Sequence, residues 1–210
     1  MEKPQIYLVR HGQSIGNVKD AFLGHTDWDL SELGYQQAET LAEYFRSVSA
    51  DAVFSSDLIR AYHTALPTAK QKGLKIETRK DLREIDAGLW EAECFDDLRK
   101  KYPDSFGDWC SDTSRCTPDG GESVSAMKDR FVRCVEALAK ENLGKTILVF
   151  AHATPIRVLG AVWGEAGFDG LMEVPWPKNA SVTHVEYADG AFRLCSYAED
   201  DFLSPATQEI

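Results

Sequence analysis

Three short apolar runs, each closing on a polar cluster, constrain this chain more than any other feature. The first is QIYLVR at 5–10, which ends on Arg10-His11-Gly12. The second spans 52–54 and runs into Ser55-Ser56-Asp57. The third is TILVFA at 146–151, which ends on His152. Continuous apolar stretches of this length, rich in β-branched and aromatic residues, suit strands covered on both faces, as in parallel sheets. A helical pattern follows each one. After the first, Ser31 is placed to cap a stripe made of Leu33, Ala38, Leu41, Ala42 and Phe45, which predicts a helix ending near Ser49. After the second, Asp57 opens a stretch in which Leu58, Ala61, Ala65 and Ala69 recur at spacings of three and four; after the third, Thr154-Pro155 starts another helix.

The remaining segments extend the pattern. A strand is expected around 74–78, and Ser123 caps a helix over 123–143 with Met127, Phe131, Cys134, Val135 and Leu138 on one face. Residues 181–187 and 191–197 flank Asp189-Gly190, a hairpin turn signature. Strands alternating with helices and closing on a hairpin predict an α/β fold: a three-layer sandwich with a mixed, largely parallel sheet and helices on both faces. The expectation is one domain over 1–210. Residues 86–121 break the pattern, being rich in aromatics, acids, Gly and Pro with a helical suggestion only at 95–102, and are the expected substrate-specificity segment.

Charge and composition exclude several function classes. With 34 Asp and Glu against 23 Lys and Arg, the net charge of -11 has the wrong sign for a nucleic-acid partner or an anionic membrane surface. The longest apolar stretch is ILVFA at 147–151, far short of the ~20 residues a spanning helix needs. The start, MEKPQIYLVRHG, has an acidic second residue and an early proline where a signal peptide would have an apolar stretch, so a cytoplasmic setting is expected. The five cysteines show no zinc-finger spacing and read as reduced thiols, with no metal site and no cofactor.

Ligands in open α/β sheets collect outside the carboxyl ends of the strands, so the three polar clusters are expected to meet in one crevice. Arg10, His11, Arg60 and His152 together would make a cationic pocket within an acidic protein, suited to a dianionic phosphoryl group. Arginine presents a planar fork of donors that matches phosphate oxygens. Histidine is partly unprotonated near neutral pH, so His11 is either a nucleophile toward phosphorus or a general base. An alkoxide leaves badly without a proton, and Glu84, in LREIDAGLWEA, is the candidate donor. Each of these residues also has a plainer reading. Arg60 alone would pair with Asp57 three residues earlier, Glu84 would be one more solvated acid, and His25, His63 and His184 read as structural. Trp90, Trp109, Phe95 and Phe106 read first as a small core and second as a substrate-facing wall, and 198–203 as a solvated tail.

Taken together, LVRHGQSIGN at 8–17, FLGHTDWDLSELGYQQA at 22–38, SSDLIRAYHTA at 55–65, LREIDAGLWEA at 82–92, PDGGES at 118–123 and FAHATPIR at 150–157 resemble the histidine phosphatase superfamily, the phosphoglycerate-mutase-like proteins. NASVTHVEY at 179–187 resembles that family's last strand. The resemblance implies that His11 forms a phosphohistidine and that Arg10, Arg60 and His152 bind the phosphoryl group. It further implies that Asn17 adds a neutral donor, that backbone N–H groups near Gly24 line the pocket, and that Glu84 serves as acid and then as base. The sequence departs from the family at Ala153, Ala92, Leu23 and Gln13, changes that bear on specificity rather than on the catalytic groups. The implied function is a metal-independent phosphatase acting on a small phosphorylated metabolite. The alternatives are a phosphoglycerate mutase, for which Arg99, Lys100, Lys101 and Arg115 would supply the extra cations, and a non-catalytic phospho-ligand binding domain. Sequence leaves the oligomeric state open.

Overall fold

Alternation within single strands separates two apolar layers. In the computed structural model, which describes residues 3–204 and 207, Ile147 and Val149 join one core cluster while their neighbours Leu148 and Phe150 join another. Period-two side-chain alternation makes this split wherever a strand is covered on both sides. The strands are β1 (Gln5–Arg10), β2 (Ala52–Ser55), β3 (Ile76–Thr78), β4 (Thr146–Ala151), β5 (Val182–Ala188) and β6 (Ala191–Glu199), in the sheet order β3-β2-β4-β1-β5-β6. β1 to β4 pair in parallel, and β5 runs antiparallel to both neighbours. The sheet is therefore mixed and largely parallel.

The helices, in chain order, are α1 (Ile15–Val18), α2 (Glu32–Tyr44), α3 (Ile59–Lys72), α4 (Phe95–Lys101), α5 (Pro103–Ser111), α6 (Val124–Glu141) and α7 (Ala153–Trp163). Ser31 caps α2 through the Gly34 N–H at 3.1 Å, and Ser123 caps α6 through the Ala126 N–H at 3.1 Å. α2 and α3 put Leu41, Ala65 and Ala69 against Val9, Val53 and Phe150 on one face of the sheet. On the opposite face, Met127 and Phe131 of α6 and Ile156 and Leu159 of α7 meet Ile6, Leu8 and Val149. The Asp189-Gly190 turn has φ of 53° and 84°, the pair of positive angles that joins a tight hairpin.

Two elements were not legible in the sequence. α1 is one turn long, closed by a capping box in which Ser14 and Asn17 each bond the other's backbone N–H. α5 is a second helix in the irregular segment, opened by Pro103 in the first turn. The expected tail at 198–203 is corrected: β6 continues to Glu199, Phe202 lies 4.2 Å from Tyr44 between ring centroids, and Leu203 is buried.

The site owes its position to this topology. β1 and β4 are neighbours paired Arg10 to Ala151, and β4 pairs Phe150 with Ser55 of β2, so three strand ends lie side by side. The chain leaves β1 for α2 on one face and leaves β4 for α7 on the other. That divergence opens the crevice at which α/β sheets bind ligands.

Candidate active site

A cavity of about 510 Å³ opens at these strand ends, within the size range of small-molecule sites. Arg10, His11, Asn17 and Glu84 line it, and Ala153 and Thr154 at the start of α7 complete this end. Arg60 and His152 are fully buried beside it rather than on its walls. The rings of His11 and His152 meet edge to face with centroids 5.2 Å apart.

His11 is held from several sides. Its N–H donates to the Ala151 carbonyl at 3.0 Å, and its carbonyl accepts from the Asn179 amide at 3.0 Å and the Ala180 N–H at 3.1 Å. Its Nδ1 lies 2.7 Å from the Gly12 carbonyl, a group that only accepts. Nδ1 therefore carries the proton and Nε2 keeps its lone pair. Burial, reinforced by the Arg60 and Arg10 charges, pulls the imidazole well below its usual range, so it is neutral at pH 7. The turn that presents it has no room for a side chain at Gly12, where a β-carbon would come within 2.6 Å of the Gly34 carbonyl.

Arg60 does not pair with Asp57. That aspartate is taken by Arg83 through two hydrogen bonds of 2.6 and 2.7 Å. Arg60 instead donates to the carbonyls of Thr26 at 2.9 Å and Gly24 at 2.8 Å, and its Nε has no partner among the described residues. Burial lowers its pKa to about 10, which leaves it cationic at neutral pH. His152 is buried with neither ring nitrogen hydrogen-bonded among the described residues, and burial together with Arg60 keeps it neutral. Orphaned buried donors cost about 1–3 kcal/mol each and point to a ligand that satisfies them.

Glu84 accepts from the Ile85 N–H at 2.9 Å and from the Thr154 N–H at 3.1 Å. These bonds favour the carboxylate, yet burial outweighs them and raises the carboxyl above its ordinary range. A raised carboxyl and a lowered imidazole on one cavity are the separation that acid and nucleophile roles require.

Asn17 lines the cavity, and its Oδ1 accepts from Ser14 and, at 3.3 Å, from the Asn179 amide, so its –NH₂ is the half able to serve an anion. Gly24 differs from expectation. Its N–H donates to Glu91 at 3.2 Å, as does that of Thr26 at 2.9 Å, and Gly24 does not line the cavity. Glu91 also accepts from the His25 and Ala87 N–H groups and thereby anchors the 24–26 loop. Glu91, Thr154 and Asn179 lie inside sequence blocks already singled out, but with no local signal for these contacts.

The plainer readings hold for three histidines. His25 contacts the Glu84 carbonyl at 3.1 Å, His63 pairs with Asp29 at 2.7 Å, and His184 stacks on Tyr7. The aromatics divide. Trp90 is wholly core, whereas Phe95, Phe106 and Trp109 pack in the same cluster and also wall the cavity. Leu23 lines the cavity as well. Ala92 sits at φ 62°, a left-handed position that a residue bearing a β-carbon adopts at a cost. No helix among the described residues is long and apolar enough to cross a membrane.

An α/β sheet with histidine and arginine side chains gathered at its central strand ends is the architecture of an enzyme working on anionic substrates. The sequence profile of the histidine phosphatase superfamily (branch 1) matches residues 6–200, and the chain belongs to that superfamily. It is 33% identical over 155 residues to phosphoserine phosphatase 1 of Hydrogenobacter thermophilus, covering 74% of each chain. To the adenosylcobalamin/alpha-ribazole phosphatase of Escherichia coli it is 30% identical over 155 residues, covering 74% of this chain and 76% of the relative. The structure of mycobacterial glucosyl-3-phosphoglycerate phosphatase superposes with a TM-score of 0.83 at 27% identity, covering 95% of this chain and all of that one. These relatives are named as phosphatases of phosphoserine, of adenosylcobalamin or alpha-ribazole, and of glucosyl-3-phosphoglycerate.

Proposed function

We propose that this protein hydrolyses small phosphomonoesters through a phosphohistidine on His11. The observation that carries the reading is the Nδ1 contact to the Gly12 carbonyl, which leaves Nε2 as a neutral, unprotonated nucleophile on the cavity wall. Nε2 attacks phosphorus and the ester P–O bond breaks. Glu84, whose carboxyl burial raises above its ordinary range, gives its proton to the departing alkoxide. Water then attacks the phosphohistidine, the P–N bond breaks, and the Glu84 carboxylate takes the water proton.

Arg10, the Asn17 amide, the Nε–H of Arg60 and the single N–H of the neutral His152 ring are the donors for the phosphoryl oxygens. They bear charge that develops on the transferring group, in a site with little solvent to screen it. No step calls on a metal ion, so turnover is expected to persist in excess chelator. The cations that a mutase would use for a substrate carboxylate are engaged elsewhere: Arg99 with Asp96, Lys100 with Asp97, Lys101 with Glu93 and Arg115 with Asp112. Only Arg99 of these reaches the cavity. A binding module, for its part, has no use for a nucleophile and a proton donor together.

The test is to mix the protein with a phosphate ester, quench in alkali and locate phosphate by mass spectrometry. An acid-labile phosphoryl group on His11 is expected, with free phosphate as product. Activity that survives His11→Ala, or 2- to 3-phosphoglycerate interconversion faster than phosphate release, overturns the reading.

A further inference from the structure

The cavity has a second end of different character. Beyond the phosphoryl-binding groups its wall is aromatic, built by Phe95, Phe106, Trp109 and Trp176. Phe106 and Trp109 are 3% and 8% exposed, as core residues are, but Trp176 remains 44% exposed. Trp176 lines the cavity while staying open to water, so a ligand there would cover apolar area that the fold leaves exposed.

The backbone carrying Trp176 is secured with unusual thoroughness. It lies in V-P-W-P at 174–177, where the two prolines bring no N–H and the carbonyls are the anchors. Arg157 Nε donates to the Val174 carbonyl at 2.8 Å, the Tyr197 hydroxyl to that of Pro175 at 2.7 Å, and Arg10 Nη1 to that of Pro177 at 2.6 Å. The Arg157 guanidinium also lies 4.3 Å from the centre of the Trp176 ring. Arg157 is buried, makes no ion pair among the described residues, and leaves Nη1 without a partner. A buried guanidinium is costly, and its compensation here is the strap and the indole it holds.

We propose that Trp176, positioned by Arg157 and Tyr197, reads the leaving alcohol and selects phosphate esters whose alcohol carries a flat, uncharged ring. The inference deepens the phosphatase reading of the same cavity and rests on it. A flat ring would bury apolar area against the indole and gain the attraction of offset aromatic pairs. A carboxylate would find no comparable welcome. Apart from Arg10 at the phosphoryl end, the cavity's arginine is Arg99, which is exposed and paired with Asp96, and Asp20 adds negative charge to the same walls. The Arg10 bond to Pro177 ties the strap to the phosphoryl end, so the distance from phosphorus to the ring surface is set by the fold.

Binding of non-hydrolysable ligands tests this without turnover. Methylphosphonate reaches only the phosphoryl end, and 2-naphthylmethylphosphonate reaches both. By calorimetry, the wild-type protein is expected to bind the naphthyl ligand about tenfold more tightly than methylphosphonate. Trp176→Ala should collapse that ratio toward one, because the clamps act on backbone carbonyls and survive the change. Trp176→Phe should restore part of the ratio, and Arg157→Met should reduce it. A wild-type ratio near one, or a ratio that Trp176→Ala leaves standing, overturns the proposal, as does a variant that weakens both ligands equally. The phosphohistidine experiment judges the phosphatase reading separately, since an intact ratio without phosphoenzyme would fault the chemistry and spare the ring site.

Discussion

The end of the cavity that holds Arg10, His11 and Glu84 hangs on the carboxyl ends of β1, β2 and β4, whereas the other end is assembled from the irregular stretch 86–121 and the strap at 174–177. At the first end the groups are polar, buried and held by backbone contacts within or beside the sheet. At the second they are aromatic side chains that pack on one another: Phe22 with Trp109 at 5.0 Å, Trp90 with Phe106 at 5.4 Å, and Trp109 with Trp176 at 5.8 Å between centroids. Sheet register leaves little freedom, because a one-residue slip would turn every side chain to the other face. An aromatic cluster accepts substitution at the price of packing alone. On the proposed reading, reaction chemistry would sit where the fold is least able to change, and substrate choice where it can.

Five predictions press on that division. His11→Ala should lower kcat/KM by about 10⁴-fold or more for every ester, as loss of a nucleophile does, while thermal unfolding changes little. A comparable fall confined to some substrates would mean the phosphoryl end is not shared by all. Next in size, Trp90→Ala should remove about 3–5 kcal/mol of stability, the cost of a cavity in a fully buried aromatic site. Denaturant unfolding measures it. Turnover of p-nitrophenyl phosphate well below the melting point should persist, and its abolition would show that the two ends are not separable.

Glu84→Gln should cost about 10²–10³-fold on alkyl esters and far less on p-nitrophenyl phosphate, whose anion leaves unaided. The pH profile adds a sign. Burial raises the Glu84 carboxyl above 4.5, so wild-type activity on alkyl esters should fall as pH rises through its folded value, and the variant should lack that limb. His11 and His152 act oppositely on stability. Their buried imidazoles refuse protons that the unfolded chain accepts below about 6.5, so stability should drop as pH falls through that region. The smallest effect is expected at Ala92→Gly. Relief of the left-handed backbone, less the greater entropy glycine gives the unfolded chain, should stabilise by about 0.5–1 kcal/mol, or roughly 1–4 °C in melting temperature. A loss of stability there would mean that the Ala92 methyl packs usefully enough to offset its strain.

Much of the fold was legible. Strands at 5–10 and 146–151, caps at Ser31 and Ser123 and the Asp189-Gly190 turn all appear in the structure, because periodicity and turn chemistry act between residues close in sequence. α5 was hidden by its surroundings, nine residues with only Phe106 and Trp109 as buried anchors. At the site, the residues that the strand-end clusters nominated do gather at one crevice. The plainer alternative for Arg60, a pair with Asp57 three residues earlier, is the one that fails, because Arg83 takes that carboxylate through two hydrogen bonds.

What the sequence determined by itself is therefore the layered α/β plan and the convergence of Arg10, His11, Arg60 and His152 near the strand ends. Both follow from local pattern plus the general rule that parallel strands end together. Only the tertiary structure decided the hydrogen-bond partners. It gave the Gly24 N–H to Glu91, the Glu84 carboxylate to Thr154, and the 174–177 strap to Arg157, Tyr197 and Arg10. Those pairings join residues 17 to 167 positions apart, where angle and distance are set by how the layers pack. Hydrogen bonds are directional to a fraction of an ångström, and no periodicity along a chain carries that information.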